Sequence, residues 1–223
     1  MRLVAITCCL LLLAGMIRAD DPPRDERPGI VRCANLIYAR NKTSVCFADH
    51  FLSDVQKETN IWTDHRFTPV RVDSKELYQY PFAVMTGEGR FTLTEDQRQA
   101  LHDYLTGGGF VLASAGCSSK SWKDSFVREI AAIFPDQPLV PISFEHPIFH
   151  TVYDIAELKT KSRKTEPAQL MGLTIDDRIV LVYSPEGLND TGNVGGNCCC
   201  CGGNEVKNAR QVNVNLLTYA VTH

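Results

Sequence analysis

The sequence predicts an open three-layer α/β domain built on a mostly parallel sheet, and three observations carry that prediction. Short apolar runs of strand length alternate with stretches whose apolar residues recur at helical spacing. Residues 82–113 form a complete strand, helix, strand unit, a connection that almost always joins parallel strands as a right-handed crossover. Glycine-rich or polar turn residues close nearly every apolar run, so the elements are short and many.

Taken in order, Ile30 to Ala39 predicts the first strand. Phe47, Phe51 and Val55, with Leu52 beside them, make one helical stripe suited to plain core packing. Phe67 to Val72 alternates as a second strand, and Ser74 is placed to cap a short helix carrying Leu77 and Tyr78. Pro81 opens the buried run Phe82 to Met85, which stops at Thr86-Gly87-Glu88-Gly89. Thr94 and Gln97 have capping-box spacing, and Glu95 and Asp96 stand where the helix dipole favours negative charge. Leu101, Tyr104 and Leu105 form that helix's apolar face, Gly107-Gly108-Gly109 ends it, and Phe110 to Ala113 is the next strand.

Further on, Ser118 or Ser119 can cap a helix whose stripe is Trp122, Phe126, Ile130 and Ile133. Leu139 to Ile142 predicts a short strand, residues 159–167 a charged loop, and Leu173 to Tyr183 a hairpin turning at Asp176-Asp177. Residues 185–204 read as a glycine-rich loop. Val212 to Leu216 alternates like a strand, but Val212, Leu216, Tyr219 and Ala220 make a helical stripe, and a C-terminal helix is the preferred expectation.

The N-terminus carries Arg2, an apolar stretch from Leu3 to Ile17, and Ala19 before Asp20-Asp21-Pro22-Pro23. That pattern predicts a secretory signal peptide over residues 1–19, a flexible leader over 20–29 and a single domain over 30–223. The apolar stretch is short for a membrane span, which needs about 20 residues, so no stable membrane insertion is expected after cleavage. Loss of Arg2 and Arg18 with the signal would move the formal net charge from −3 to −5, a poor balance for binding nucleic acid. The expected location is exported, periplasmic or extracellular.

The quoted residues resemble a known bacterial family. Tyr80 to Gly87, Leu93-Thr94, Tyr104-Leu105 with Gly108-Gly109-Phe110, Ser125-Phe126 to Phe134-Pro135, and His146-Pro147-Ile148-Phe149 are similar to the family called domain of unknown function 4159. The resemblance runs from about Ile30 to the C-terminus. It implies the flavodoxin-like layout of class I glutamine amidotransferase-like domains, an exported or membrane-associated bacterial setting, and neighbours of ATPase and von Willebrand A type. It implies no established activity.

In open α/β sheets ligands bind beyond the carboxyl ends of the strands, which makes the loops at Thr86-Gly87-Glu88-Gly89-Arg90 and at Ser114 to Ser119, with Ser118, and the segment after Tyr183 the candidate ligand-binding segments. Arg90 suits a carboxylate or phosphate. Amidotransferases carry a nucleophilic cysteine in a G-x-C-x-G turn between strand and helix. Cys117 has that topological place, where a helix N-terminus favours the thiolate. Ala115 and Ser119 replace the two glycines, and the usual histidine and acid partners are absent in recognisable form. His146 remains a candidate base, with Glu88 or Glu145 to orient it. Its alternative role is to fix the turn at Pro147.

Cys198-Cys199-Cys200-Cys201 is the other unusual feature. Seven cysteines follow residue 19, an odd number for an oxidising compartment. Alternating side-chain directions make convergence of all four on one metal difficult, and disulfides to Cys33, Cys46 or Cys117 are preferred. Zinc or copper held by part of the run, or a reactive thiol, are the alternatives. The favoured function is an exported, non-catalytic binding or scaffold module, with no cofactor and with an unidentified protein or small molecule as its partner. A cysteine-dependent hydrolase using Cys117 with His146 and a metal or thiol redox module using Cys198–Cys201 are the alternatives.

Overall fold

A computed structural model describes residues 29–40, 42, 47–116, 119–160, 167–189 and 206–223. The first strand, β1 (Val31–Ile37), is followed by helix α1 (His50–Glu58) and strand β2 (Thr63–Arg71). A 3-10 turn over Lys75–Gln79, capped by Ser74, leads to β3 (Phe82–Gly87), α2 (Glu95–Thr106) and β4 (Phe110–Ala115). Then come α3 (Lys120–Ile133), β5 (Val140–Pro141), a second 3-10 turn over Pro147–Phe149, β6 (Met171–Ile175), β7 (Arg178–Ser184) and α4 (Ala209–Thr222).

The seven strands lie in the order β2-β1-β3-β4-β7-β6-β5. Neighbours from β2 to β7 run parallel, whereas β6 is antiparallel to β7 and to β5. The parallel part has the doubly wound order 2-1-3-4-5, with β7 in fifth place. Helices α1 and α4 cover one face and α2 and α3 the other. Period-two alternation sorts the side chains: Phe82 and Val84 of β3 and Phe110 and Leu112 of β4 join the α1/α4 core, while Ala83, Met85, Val111 and Ala113 join the α2/α3 core.

Local chemistry explains most boundaries. The Thr94–Gln97 capping box is complete, so α2 starts where both orphan donors are satisfied. Gly108 takes φ +98 after α2, a conformation that only glycine adopts without strain. Asp176 and Asp177, at φ 47 and 61, make the two-residue left-handed turn that matches strand twist and fixes the β6–β7 register. Buried Glu129 accepts from Arg98 Nε at 2.9 Å and from Arg128 Nη2 at 3.1 Å, tying α2 to α3.

Three differences from the sequence expectation have physical causes. The first strand stops at Ile37 rather than Ala39, because Tyr38 and Lys42 exchange backbone hydrogen bonds across a tight turn. Strand pairing at Leu139 to Ile142 shrinks to Val140–Pro141, since Pro141 has no N–H to offer a ladder. Cys33 is no disulfide partner: it is a free, fully buried thiol in β1, and burial pushes its pKa well up. The expected helix near the C-terminus forms as α4, and its residues Val212 to Ala220 are all buried, which is why no single stripe dominates its sequence.

Candidate functional site

The strand order reverses between β1 and β3, so the crevice beyond their carboxyl ends is where this architecture holds ligands. Here the crevice is filled by the protein itself. Tyr38, at the end of β1, is completely buried and donates from its hydroxyl to the Thr86 carbonyl at 2.9 Å. That hydroxyl also accepts from Trp122 Nε1 at 2.5 Å. Phe91 packs edge-on against Tyr38 and tilted against Trp122, with centroids 5.0 and 5.7 Å away. Burial drives the Tyr38 phenol's pKa up, so it stays protonated and able to donate.

Behind Tyr38, the chain turns through Ala39 and Arg40 at φ 42 and 74, two successive non-glycine residues in the left-handed region. Tyr38 N donates to Lys42 O and Lys42 N to Tyr38 O at 2.9 and 2.8 Å. Ala39 N donates to Oε1 of buried Gln97, which also accepts from Thr94 N. The capping glutamine of α2 thereby anchors the turn after β1. Its other contact is Asp73, whose carboxylate is held below its usual pKa by the Arg71 guanidinium.

The loop after β3 is built into the same plug. A side chain at Gly87 would meet the Tyr38 hydroxyl at 2.4 Å and Trp122 Nε1 at 3.1 Å, so only glycine fits. Thr86 and Gly87 are buried, which leaves Glu88, Gly89 and Arg90 as the part of the predicted ligand loop that reaches solvent. Gly89 N donates to Ser119 Oγ at 3.0 Å, and the same hydroxyl accepts from Trp122 N and caps α3. Lys42 Nζ donates to the Glu88 carbonyl at 2.8 Å.

Cys117 and Ser118 lie outside the described residues, but both flanks are placed. β4 ends at Ala115, and Ser119 N donates to Gly116 O at 2.9 Å directly before α3. A Cβ on Gly116 would stand 2.8 Å from the Gly87 carbonyl oxygen and 3.3 Å from Glu88 Cγ. The glycine demanded by close approach is thus one residue later than in the G-x-C-x-G pattern, and Glu88 lies beside this turn.

His146 stands elsewhere. Its Nδ1 accepts from Ile148 N at 3.1 Å, capping the 3-10 turn, and its ring meets Tyr219 edge-on at 5.7 Å. Tyr219 packs on Phe110 and accepts from Ile179 N, which places this group at the beginnings of β4 and β7, opposite the end where β4 leads to Cys117. Among the described residues His146 is therefore brought together with Tyr219 and His223, not with Glu88. Burial and the neighbouring His223 lower its pKa. A cavity of about 150 Å³ beside it is lined by Ser143, Gly172, Thr174 and Asp177, among others.

A second group sits at the carboxyl ends where the expected loops from Ser114 and after Tyr183 begin, although the sequence did not connect the two. Ser114 and Ser184 stand opposite each other on β4 and β7. Leu188 N donates to Ser114 Oγ, and Asn213 Nδ2 donates to Leu188 O, both at 2.9 Å. Among the described residues Ser184 Oγ and Asn213 Oδ1 are buried without a hydrogen-bond partner, and such orphan groups commonly hold an ordered water. Only the position of two serines at strand ends signalled this cluster in the sequence. Cys198–Cys201, Cys46 and residues 1–28 lie outside the described residues, so the loop-stapling, metal and leader expectations do as well. Among the described residues no cluster of three or more histidine, cysteine, aspartate or glutamate side chains could hold a metal ion, and no helix is long and apolar enough to cross a membrane.

Strand order, the two helical layers and the filled switch point define a doubly wound α/β domain with an antiparallel extension at one edge. The chain belongs to the family described as domain of unknown function (DUF4159), whose model matches residues 33–221. No curated protein matches it in sequence.

Proposed function

We propose that this chain is an exported, non-catalytic binding or scaffold module on an amidotransferase-like fold. The observation that supports this most is the plug of Tyr38, Trp122 and Phe91 in the switch-point crevice. A crevice filled by three aromatic rings and locked by a buried hydroxyl offers no room for a substrate beneath the strand ends. The position of His146 at the other end of β4 and β7, where its Nδ1 already accepts from Ile148 N, adds to it, since a base must lie within hydrogen-bond reach of the group that it deprotonates. Export rests on the signal-like sequence of residues 1–19, and the loop of Cys198–Cys201 serves as a disulfide-stapled cover in this reading.

Alkylation of the folded protein with iodoacetamide, read peptide by peptide by mass spectrometry across pH, tests the proposal. Cys117 should be blocked in a disulfide or should react like an ordinary thiol, with a midpoint of about 8.5. Fast labelling with a midpoint below neutrality would mark an activated thiolate and favour the hydrolase instead.

A further inference from the structure

We propose that Arg40, Lys42 and Arg90, on the rim of the filled switch point, form a docking surface for an acidic segment of another polypeptide. This rests on the binding-module reading and names the chemistry of its partner. The crevice below is closed, so whatever binds at this end meets the rim.

The rim is a constructed feature. Ala39 and Arg40 both hold left-handed φ, a conformation that non-glycine residues adopt only under strain. The paired Tyr38–Lys42 backbone hydrogen bonds and the Gln97 contact to Ala39 N over-determine that conformation. They place Arg40 in the turn and send Lys42 back towards the β3 loop. There Lys42 Nζ reaches the Glu88 carbonyl at 2.8 Å and lies 3.7 Å from where a Gly89 side chain would begin, directly before Arg90.

The charges are also left available. Arg40 and Arg90 are exposed, and among the described residues neither has a carboxylate within ion-pair distance. Lys42 donates to a carbonyl, which leaves its charge uncompensated. The surrounding carboxylates are engaged elsewhere: Asp73 by Arg71, Asp124 by Lys120, and Glu129 by Arg98 and Arg128. Glu88 is an opposing charge on the rim itself, and its side chain lies against Gly116. In a chain with a formal net charge of −3, this concentrates positive charge at one end of the sheet. A single small anion on so solvated a rim gains little, whereas a run of carboxylates engages the three cations together.

The test uses the chain from residue 20 onward and a fluorescein-labelled peptide of ten glutamates, followed by anisotropy at low and moderate salt, with a ten-glutamine peptide as reference. The wild-type chain should bind the glutamate peptide, release it as salt rises, and ignore the glutamine peptide. The pair Arg40→Glu and Arg90→Glu should weaken binding at least about tenfold. The pair Arg32→Glu and Arg66→Glu makes the same change in net charge away from the rim and should stay within about twofold. Each variant's thermal unfolding midpoint confirms that it is folded, and Arg40→Gln with Arg90→Gln replaces the reversal pair if it is not. Equal losses in the two pairs, or a wild-type chain that does not bind, would overturn the docking surface. Neither result touches the non-catalytic reading, which Cys117 labelling decides.

Discussion

Tyr38 is the residue on which the closed crevice depends, because one buried hydroxyl satisfies both the Thr86 carbonyl and the Trp122 indole. Replacing it with phenylalanine keeps the ring packing and strands two buried polar groups, a loss of about 1–3 kcal/mol. Urea unfolding of Tyr38→Phe should show a lower midpoint with an unchanged slope. Gly87→Ala should cost at least as much, since its methyl would meet the Tyr38 hydroxyl and the Trp122 ring. At Cys33, complete burial and a raised pKa predict that iodoacetamide modifies the thiol only after unfolding. Labelling of Cys33 in the native protein would contradict its place in the core.

Two short elements make predictions of their own. Thr94→Ala removes one half of the α2 capping box and should cost about 1 kcal/mol. Gln97→Ala should cost more, because the same amide also holds the turn at Ala39. The 3-10 turn at Pro147–Phe149 depends on a neutral His146, whose Nδ1 must accept the Ile148 N–H. The folded-state pKa of His146 is lowered, so its contribution to stability is complete above the unfolded value of about 6.5 and is lost as pH falls through the folded value. His146→Asn can cap without titrating, so the wild-type protein should lose more stability between neutral and mildly acidic pH than this variant. Equal pH dependence would remove His146 from that role. These elements were legible in the sequence because their signals are local: Thr94 lies three residues from Gln97, Asp176 is next to Asp177, and His146 directly precedes Pro147.

At the scale of the whole molecule, the strand, helix, strand unit of residues 82–113 announced the parallel pair β3–β4, while the order β2-β1-β3-β4-β7 rests on pairings between strands distant in sequence. The site was much less legible. Tyr38 and Trp122 are 84 positions apart, and each looked like an ordinary core residue in its own element. Glu88 and His146 looked compatible as a pair only because a one-dimensional reading could not see that α4, through Tyr219, holds His146 at the beginnings of the strands. The link from Ser114 to Asn213 was invisible for the same reason, since it runs through Leu188. Hydrogen exchange of the tryptophan indoles tests the filled crevice most directly. Free N-acetyltryptophanamide serves as the reference for buried Trp122. The closed crevice predicts a Trp122 indole proton that exchanges at least about a thousandfold more slowly than that of the free indole, approaching the rate of global unfolding. Exchange at Trp122 comparable to the free indole would mean that the crevice opens to solvent, and would contradict a module that keeps its own side chains in the place of a ligand.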